Sequence, residues 1–213
     1  MLFPFNSEIL SQLPASGDDD TKIRTVVYKT ANVEALENGD IAIIVDRKYI
    51  TYSNTMNPNT SNVEIPHCDE RFIVCFDKTL HKKYDYMIQD KYTGGLMQGM
   101  DMSTNYTYEG TNTPAADYAA KINSTGSHIG DNLIVGHMSG DHSKEVYHYT
   151  LINNKGESKT IYSSDEDKSV GKDWIYKILG KASSSTILVE AKFSQKSKLG
   201  MIEIKLPSAN ASE

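Results

Sequence analysis

Residues 131–152, "DNLIVGHMSGDHSKEVYHYTLI", carry the densest chemistry in the chain and also decide how its fold is read. Within them, His137-Met138-Ser139-Gly140-Asp141-His142-Ser143 supplies the raw material of a metal site, or of a nucleophile with its base and orienter. The flanks point elsewhere. "NLIVGHMS" and "EVYHYTLIN" are apolar, β-branched and aromatic runs of strand length, and Gly140-Asp141 is turn chemistry, so the stretch reads as a β-hairpin bending at "SGD". Alternation puts Tyr147 and Tyr149 on one face and Val146 and His148 on the other, and a hairpin could bring His137 and His148 near each other across two strands, which leaves open whether they meet.

The same residues define the catalytic alternative, a small viral hydrolase or nuclease using His137, Asp141, His142 and His148. It meets two obstacles. Zinc hydrolases need three convergent ligands, the first pair usually two or four residues apart, whereas His137 and His142 stand at i, i+5 across a turn. "GHMSG" places Ser139 one position off the G-x-S-x-G elbow, and no phosphate-binding G-x-x-x-x-G-K-[ST] is present. The preferred reading is therefore a loop tip, with no catalytic residue, no metal and no cofactor.

Outward from this hairpin, "KIRTVVYKT" and "IAIIVDRKYITYSN" read as strands, the second bent near Asp46 and Arg47, and "NTMNPNTSNVEIP" reads as loop. "ERFIVCFD" and "KTLHKKYDYMIQD" form a hairpin or meander turning at Asp77 to Thr79, with Leu80, Tyr84, Tyr86 and Ile88 alternating in part with polar residues. Lys91 to Asn112 is a long Gly-Met loop, where Met97, Met100 and Met102 offer adaptable contact to a partner. "NTPAADYAAKINSTG" predicts a short helix, capped by Thr113, with Pro114 at its first position, Asp117 in its first turn and Gly126 beyond its end. "SKTIYSS" follows the turn "NNKG" as a third strand; "WIYKILGK" is too short to assign; "STILVEAKF" and "GMIEIKLP", joined by "SQKSKL", close the chain. About eight to ten short strands and one helix define a mainly β chain with α+β character, its antiparallel hairpins arranged as a sandwich or barrel. The expected layout is an N-terminal arm over 1–24, a module over 25–206 divisible near 91–112, and a frayed tail over 207–213.

Composition narrows the function classes. A chain of 213 residues forms one large domain or two small ones and, as one domain, buries about 70% of its unfolded surface. A net charge of -6 argues against tight gripping of nucleic-acid phosphates and suits a wall past which DNA slides. Cys68 and Cys75 read as free core thiols, and "HKKYDY" around Lys82 and Lys83 as a solvated strand edge rather than a single-strand nucleic-acid patch. The acidic runs Asp18 to Asp20 and Asp165 to Asp167 miss the EF-hand spacing and read as solvated loops, and the four N-x-S/T matches are assigned no glycans. There is no basic and apolar leader, and no segment reaches the ~18 apolar residues of a membrane helix, so the expectation is a soluble, unexported chain with no membrane partner.

The order of parts resembles a module of the tail tubular protein B, or nozzle, of short-tailed phages. Thr113 to Asn123 matches its Ala-rich helix, Tyr147 to Ile161 its β-hairpin with an Asn/Gly turn, Ser164 to Asp167 its acidic loop, and Trp174 to Ile178 its small apolar segment. "NGDIAIIVDRKYITYSN" and "ERFIVCFDKTLHKKYDYMIQD" are similar to strands that precede that helix, so the likeness runs over roughly residues 25 to 190. The acidic loop departs from the family pattern, since its glycine is delayed to Gly171, and nozzle proteins are usually several times longer. The resemblance implies a non-enzymatic virion protein of the tail, synthesised in the host cytoplasm. It would be a homo-oligomer contacting other tail and adaptor proteins and lining a channel for transient passage of DNA. The third alternative, from another class, is a virus-encoded module that captures a host protein or ligand through the Gly-Met loop.

Overall fold

The computed structural model describes residues 25–53, 63–93, 123–141, 144–165, 175–193 and 196–203, and every regular element among them is a β-strand. Strands β1 (Thr25–Ala35), β2 (Ile41–Ser53), β3 (Val63–Phe76) and β4 (Lys82–Ile88) form an antiparallel meander. β5 is the dipeptide Tyr92–Thr93. A second antiparallel meander follows, made of β6 (Thr125–Ile129), β7 (Asn132–Asp141), β8 (Lys144–Ile152) and β9 (Ser158–Ser163). β10 (Ile175–Ser183), β11 (Thr186–Phe193) and β12 (Lys196–Glu203) make a separate three-stranded antiparallel sheet.

The hairpin turns are made by short polar side chains. Asp77 Oδ1 accepts from the Thr79 and His81 amides at 2.8 and 3.0 Å, and Asn153 Oδ1 accepts from those of Lys155 and Glu157 at 2.9 Å each. Each Asx oxygen replaces water on amides that the reversing chain leaves without a ladder partner.

The two meanders become one nine-stranded sheet through β5, which pairs antiparallel with β3 at His67 and Cys68 and parallel with β7 at Gly140 and Asp141. The sheet then curls until β1 meets β6 through side chains: Asn32 Nδ2 donates to the Gly126 carbonyl at 3.0 Å, and His128 Nδ1 lies 3.1 Å from Glu34 Oε2. Alternation fills the enclosed face with Ala42 and Ile44 of β2, Ile73 and Cys75 of β3, Ile88 of β4, Leu133 and Val135 of β7 and Ile152 of β8. The opposite face of the second meander packs Met138, Tyr147, Tyr149 and Leu151 against Ile178, Ile187 and Val189 of the three-stranded sheet. Both clusters are made of apolar side chains, and their burial is a large favourable term in the fold.

A mainly β chain with antiparallel sheets is what the sequence led us to expect, and Cys68 and Cys75 are buried free thiols. The helix expected over Thr113–Asn123 lies, but for its last residue, outside the described residues, as do most of the Gly-Met loop with Met97, Met100 and Met102, and His142. Several boundaries are corrected. β3 begins at Val63 and not after Pro66, because Val63–Pro66 continue the ladder against Ile50–Ser53. Tyr92–Thr93 is a strand rather than the start of a loop, and Lys196–Leu199 belongs to β12 rather than to a connection. Leu80 is an exposed turn residue at φ 65°, off the alternating face formed by Tyr84, Tyr86 and Ile88. Gly140 and Asp141 remain in the ladder opposite Glu145 and Lys144, so the bend is not at "SGD". The strand β6 and the long strand β10 were not foreseen.

Candidate functional site

The enclosed face of the second meander is apolar at Leu133, Val135 and Ile152 and turns polar towards the other end of β7 and β8. The ladder sets His137 directly opposite His148, with ring centroids 5.4 Å apart and tilted by 31°. His137 is 1% exposed. Its Nε2 lies 3.1 Å from Thr150 Oγ1, while Nδ1 is 3.6 Å from an Asp90 carboxylate oxygen and has no hydrogen-bond partner among the described residues. Burial, reinforced by Arg71 and then His148, holds the His137 pKa well below its ordinary 6.5, so the ring is neutral.

His148 is half-buried and bonded at both nitrogens. Nε2 is 2.7 Å from Ser139 Oγ, and Nδ1 is 3.1 Å from Ser163 Oγ. Ser163 in turn donates its hydroxyl hydrogen to the exposed Asp165 carboxylate, which that bond holds below its ordinary pKa. These bonds fix each other's direction. A serine hydroxyl has one hydrogen, so Ser163 can only accept from His148; Nδ1 carries a proton, and in the neutral ring Nε2 presents a lone pair to the Ser139 hydroxyl. The series from Ser139 through His148 and Ser163 to Asp165 is thus ordered as nucleophile, base and orienter.

Arg71 packs behind this layer, fully buried on β3. Its Nε donates to Ser124 Oγ at 3.1 Å, Nη1 to the Asp90 carbonyl at 2.6 Å and Nη2 to the Met138 carbonyl at 2.7 Å. Met138 stands where β6 no longer pairs β7 and β5 does not yet, and Asp90 stands between β4 and β5, so the planar fork of donors serves carbonyls that no strand reaches. Beside it runs a band of buried charge. Arg47 and Glu70 pair at 2.7 Å, Tyr49 donates to Asp69 at 2.6 Å and stacks on His67 at 4.6 Å, and Asp46 takes the Ser124 amide at 3.0 Å. Lys48 reaches Asp46 at 3.5 Å and Asn123. The Cys68 thiol in this band is pushed up to about 11 by burial and stays protonated at neutral pH, which removes it as a nucleophile.

Of the four side chains in the catalytic alternative, the described structure joins His137 and His148. Asp141 is exposed and serves the hairpin, its Oδ1 accepting from the Lys144 amide at 3.1 Å. No group of three or more His, Cys, Asp or Glu among the described residues is placed to hold a metal ion. Arg71, Asp90, Ser163 and Asp165 were not singled out as site residues from the sequence. The one signal for Arg71 is a charge adjoining the apolar run "FIVCF", where an unpaired guanidinium would be too costly to bury. Among the described residues, a groove between β1, residues 123–125 and β10 has Lys29 as its only ionisable lining residue. No protein-family model, curated protein or solved structure matches the chain.

Proposed function

We propose that this chain is a structural component of a short-tailed phage tail, a nozzle-type module that assembles with copies of itself and with neighbouring tail proteins around the path of DNA. One observation carries the assembly reading. β12 is an edge strand of the three-stranded sheet, and its outward face holds Leu199 and Met201 at 72% and 73% exposure, with Leu179 of β10 exposed as well. An edge strand that no other strand covers among the described residues, and that carries exposed apolar side chains, is a liability in a monomer and a docking strip in an assembly. The resemblance in the order of parts supports the tail assignment; its hairpin from Tyr147 to Ile161 corresponds to β8 and β9, reversing at Asn153–Glu157. The curled nine-stranded sheet suits a barrel-like module, and the charge of -6 suits a wall that does not retain DNA.

Sedimentation of the purified chain over a wide concentration range tests the reading, together with protein mass spectrometry of virions that encode it. Concentration-dependent association, abolished by Leu199→Lys with Met201→Lys, and a fixed copy number in the virion are expected. A monomer at every concentration, or absence from the particle, would refute it.

A further inference from the structure

We propose that Ser139 is an activated hydroxyl that accepts one acyl group from an activated ester and keeps it. The proposal does not rest on the tail assignment. It rests on the series of bonds at the polar end of the enclosed face: Ser139 Oγ lies 2.7 Å from His148 Nε2 and donates to it when the ring is neutral, and His148 Nδ1 is held by Ser163, which is anchored on Asp165. The tautomer is therefore the one a general base needs before any substrate arrives. Ser139 and Ser163 are each half-buried, and Asp165 is exposed.

In the reaction, Ser139 Oγ forms a bond to the ester carbonyl carbon while its proton passes to His148 Nε2. The carbon–oxygen bond to the leaving group breaks, and the departing alkoxide or phenoxide takes the proton from His148. His137, 5.4 Å away, is neutral, so the transient imidazolium at His148 meets no second imidazolium. Arg71 and Asp90 lie against His137, and Asp165 closes the series from the other side. Deacylation is disfavoured. The amide of Gly140, next to Ser139, already donates to the Lys91 carbonyl at 2.8 Å and is not available to hold an oxyanion. An ester with a good leaving group needs little oxyanion stabilisation to react, whereas the serine ester it produces needs much more to be hydrolysed. The outcome is a covalent acyl-serine rather than turnover.

The probe is p-nitrophenyl acetate. A burst of p-nitrophenolate close to one equivalent is expected, with the acetyl group mapped by peptide mass to Ser139 and lost in Ser139→Ala. His148→Gln lowers the rate of acetylation at Ser139 on the order of a hundredfold, and Asp165→Asn lowers it by less. Far-UV circular dichroism checks that His148→Gln keeps its sheets; should it not, Asp165→Asn, on an exposed turn, decides alone. Acetyl groups confined to lysines and tyrosines would overturn the proposal. So would equal acetylation of Ser139 when the partners are changed, or steady turnover with no adduct.

Discussion

His137 is a histidine that folding keeps neutral, with consequences for stability against pH. Its folded pKa lies well below the ordinary 6.5 because it is buried, with Arg71 and His148 adding to the effect. Below that pH the unfolded chain binds a proton that the folded chain refuses, so stability is complete above about pH 6.5 and falls as the medium is acidified, by up to about 1.4 kcal/mol per pH unit from this one group. Urea unfolding measured from pH 7.5 to 5 should show that slope, and His137→Gln should flatten it. An unchanged slope in the variant would assign the effect to other groups. Gly140 makes a second prediction at this scale. It sits inside β7 at φ 89°, and a side chain there would collide with the Lys144 carbonyl. Gly140→Ala should cost about 3 kcal/mol in chemical denaturation; a loss of a few tenths would mean that the hairpin relaxes freely. A bend at Gly140-Asp141 would set other residues opposite His137, so the rung it shares with His148 was decided by the ladder; only that a hairpin could bring the two rings near each other was legible. That Ser163 joins them was not. The β8–β9 register shifts between Tyr149 and Thr150, with Ile161 as the extra residue, and without that bulge Tyr162 would face His148.

At the scale of elements, the seam between the meanders is the least regular part of the fold, and Arg71 fills it. Strand β5 is two residues long, β6 stops pairing at Gly136, and the guanidinium spans the carbonyls left between them. Arg71→Met keeps the volume and leaves the Asp90 and Met138 carbonyls unpaired in the interior, so a loss of about 3–5 kcal/mol is expected from denaturant unfolding. Arg71→Lys should recover little, since an ammonium cannot reach acceptors laid out for a planar fork. If Arg71→Met proves neutral, water reaches the seam. Strands with strong alternation and β-branched content, β2, β7, β8 and β11, were readable in advance. β6, "TGSHI", has a glycine and a serine where a strand is expected to be apolar, and it is extended because β7 supplies its ladder. The outset of β3 was hidden for a related reason: Pro66 and polar neighbours read as loop until the length of β2 gives them something to pair with.

Over the whole molecule, the three-stranded sheet shares a core with the second meander. Ile187 and Val189 of β11 and Ile178 of β10 pack with Tyr147, Tyr149 and Met138, and the Ile178 amide donates to Thr125 Oγ1 at 3.4 Å. The two sheets should therefore melt together. Ile187→Ala is expected to cost about 2–5 kcal/mol and to lower one common transition, followed by tyrosine near-UV circular dichroism and by calorimetry; two separate transitions would show that the sheets fold independently.

Hydrophobic and polar alternation along the chain determined by itself that this is a mainly β protein with antiparallel hairpins, since period-two patterning and short turns are local properties. Only the tertiary structure decided the rest. The curl that encloses Arg71, the parallel stitch of β5 to β7, and the bulge that hands His148 to Ser163 all rest on contacts between residues far apart in sequence. Their favourable energy exists only once the sheets are assembled, so no local pattern records it.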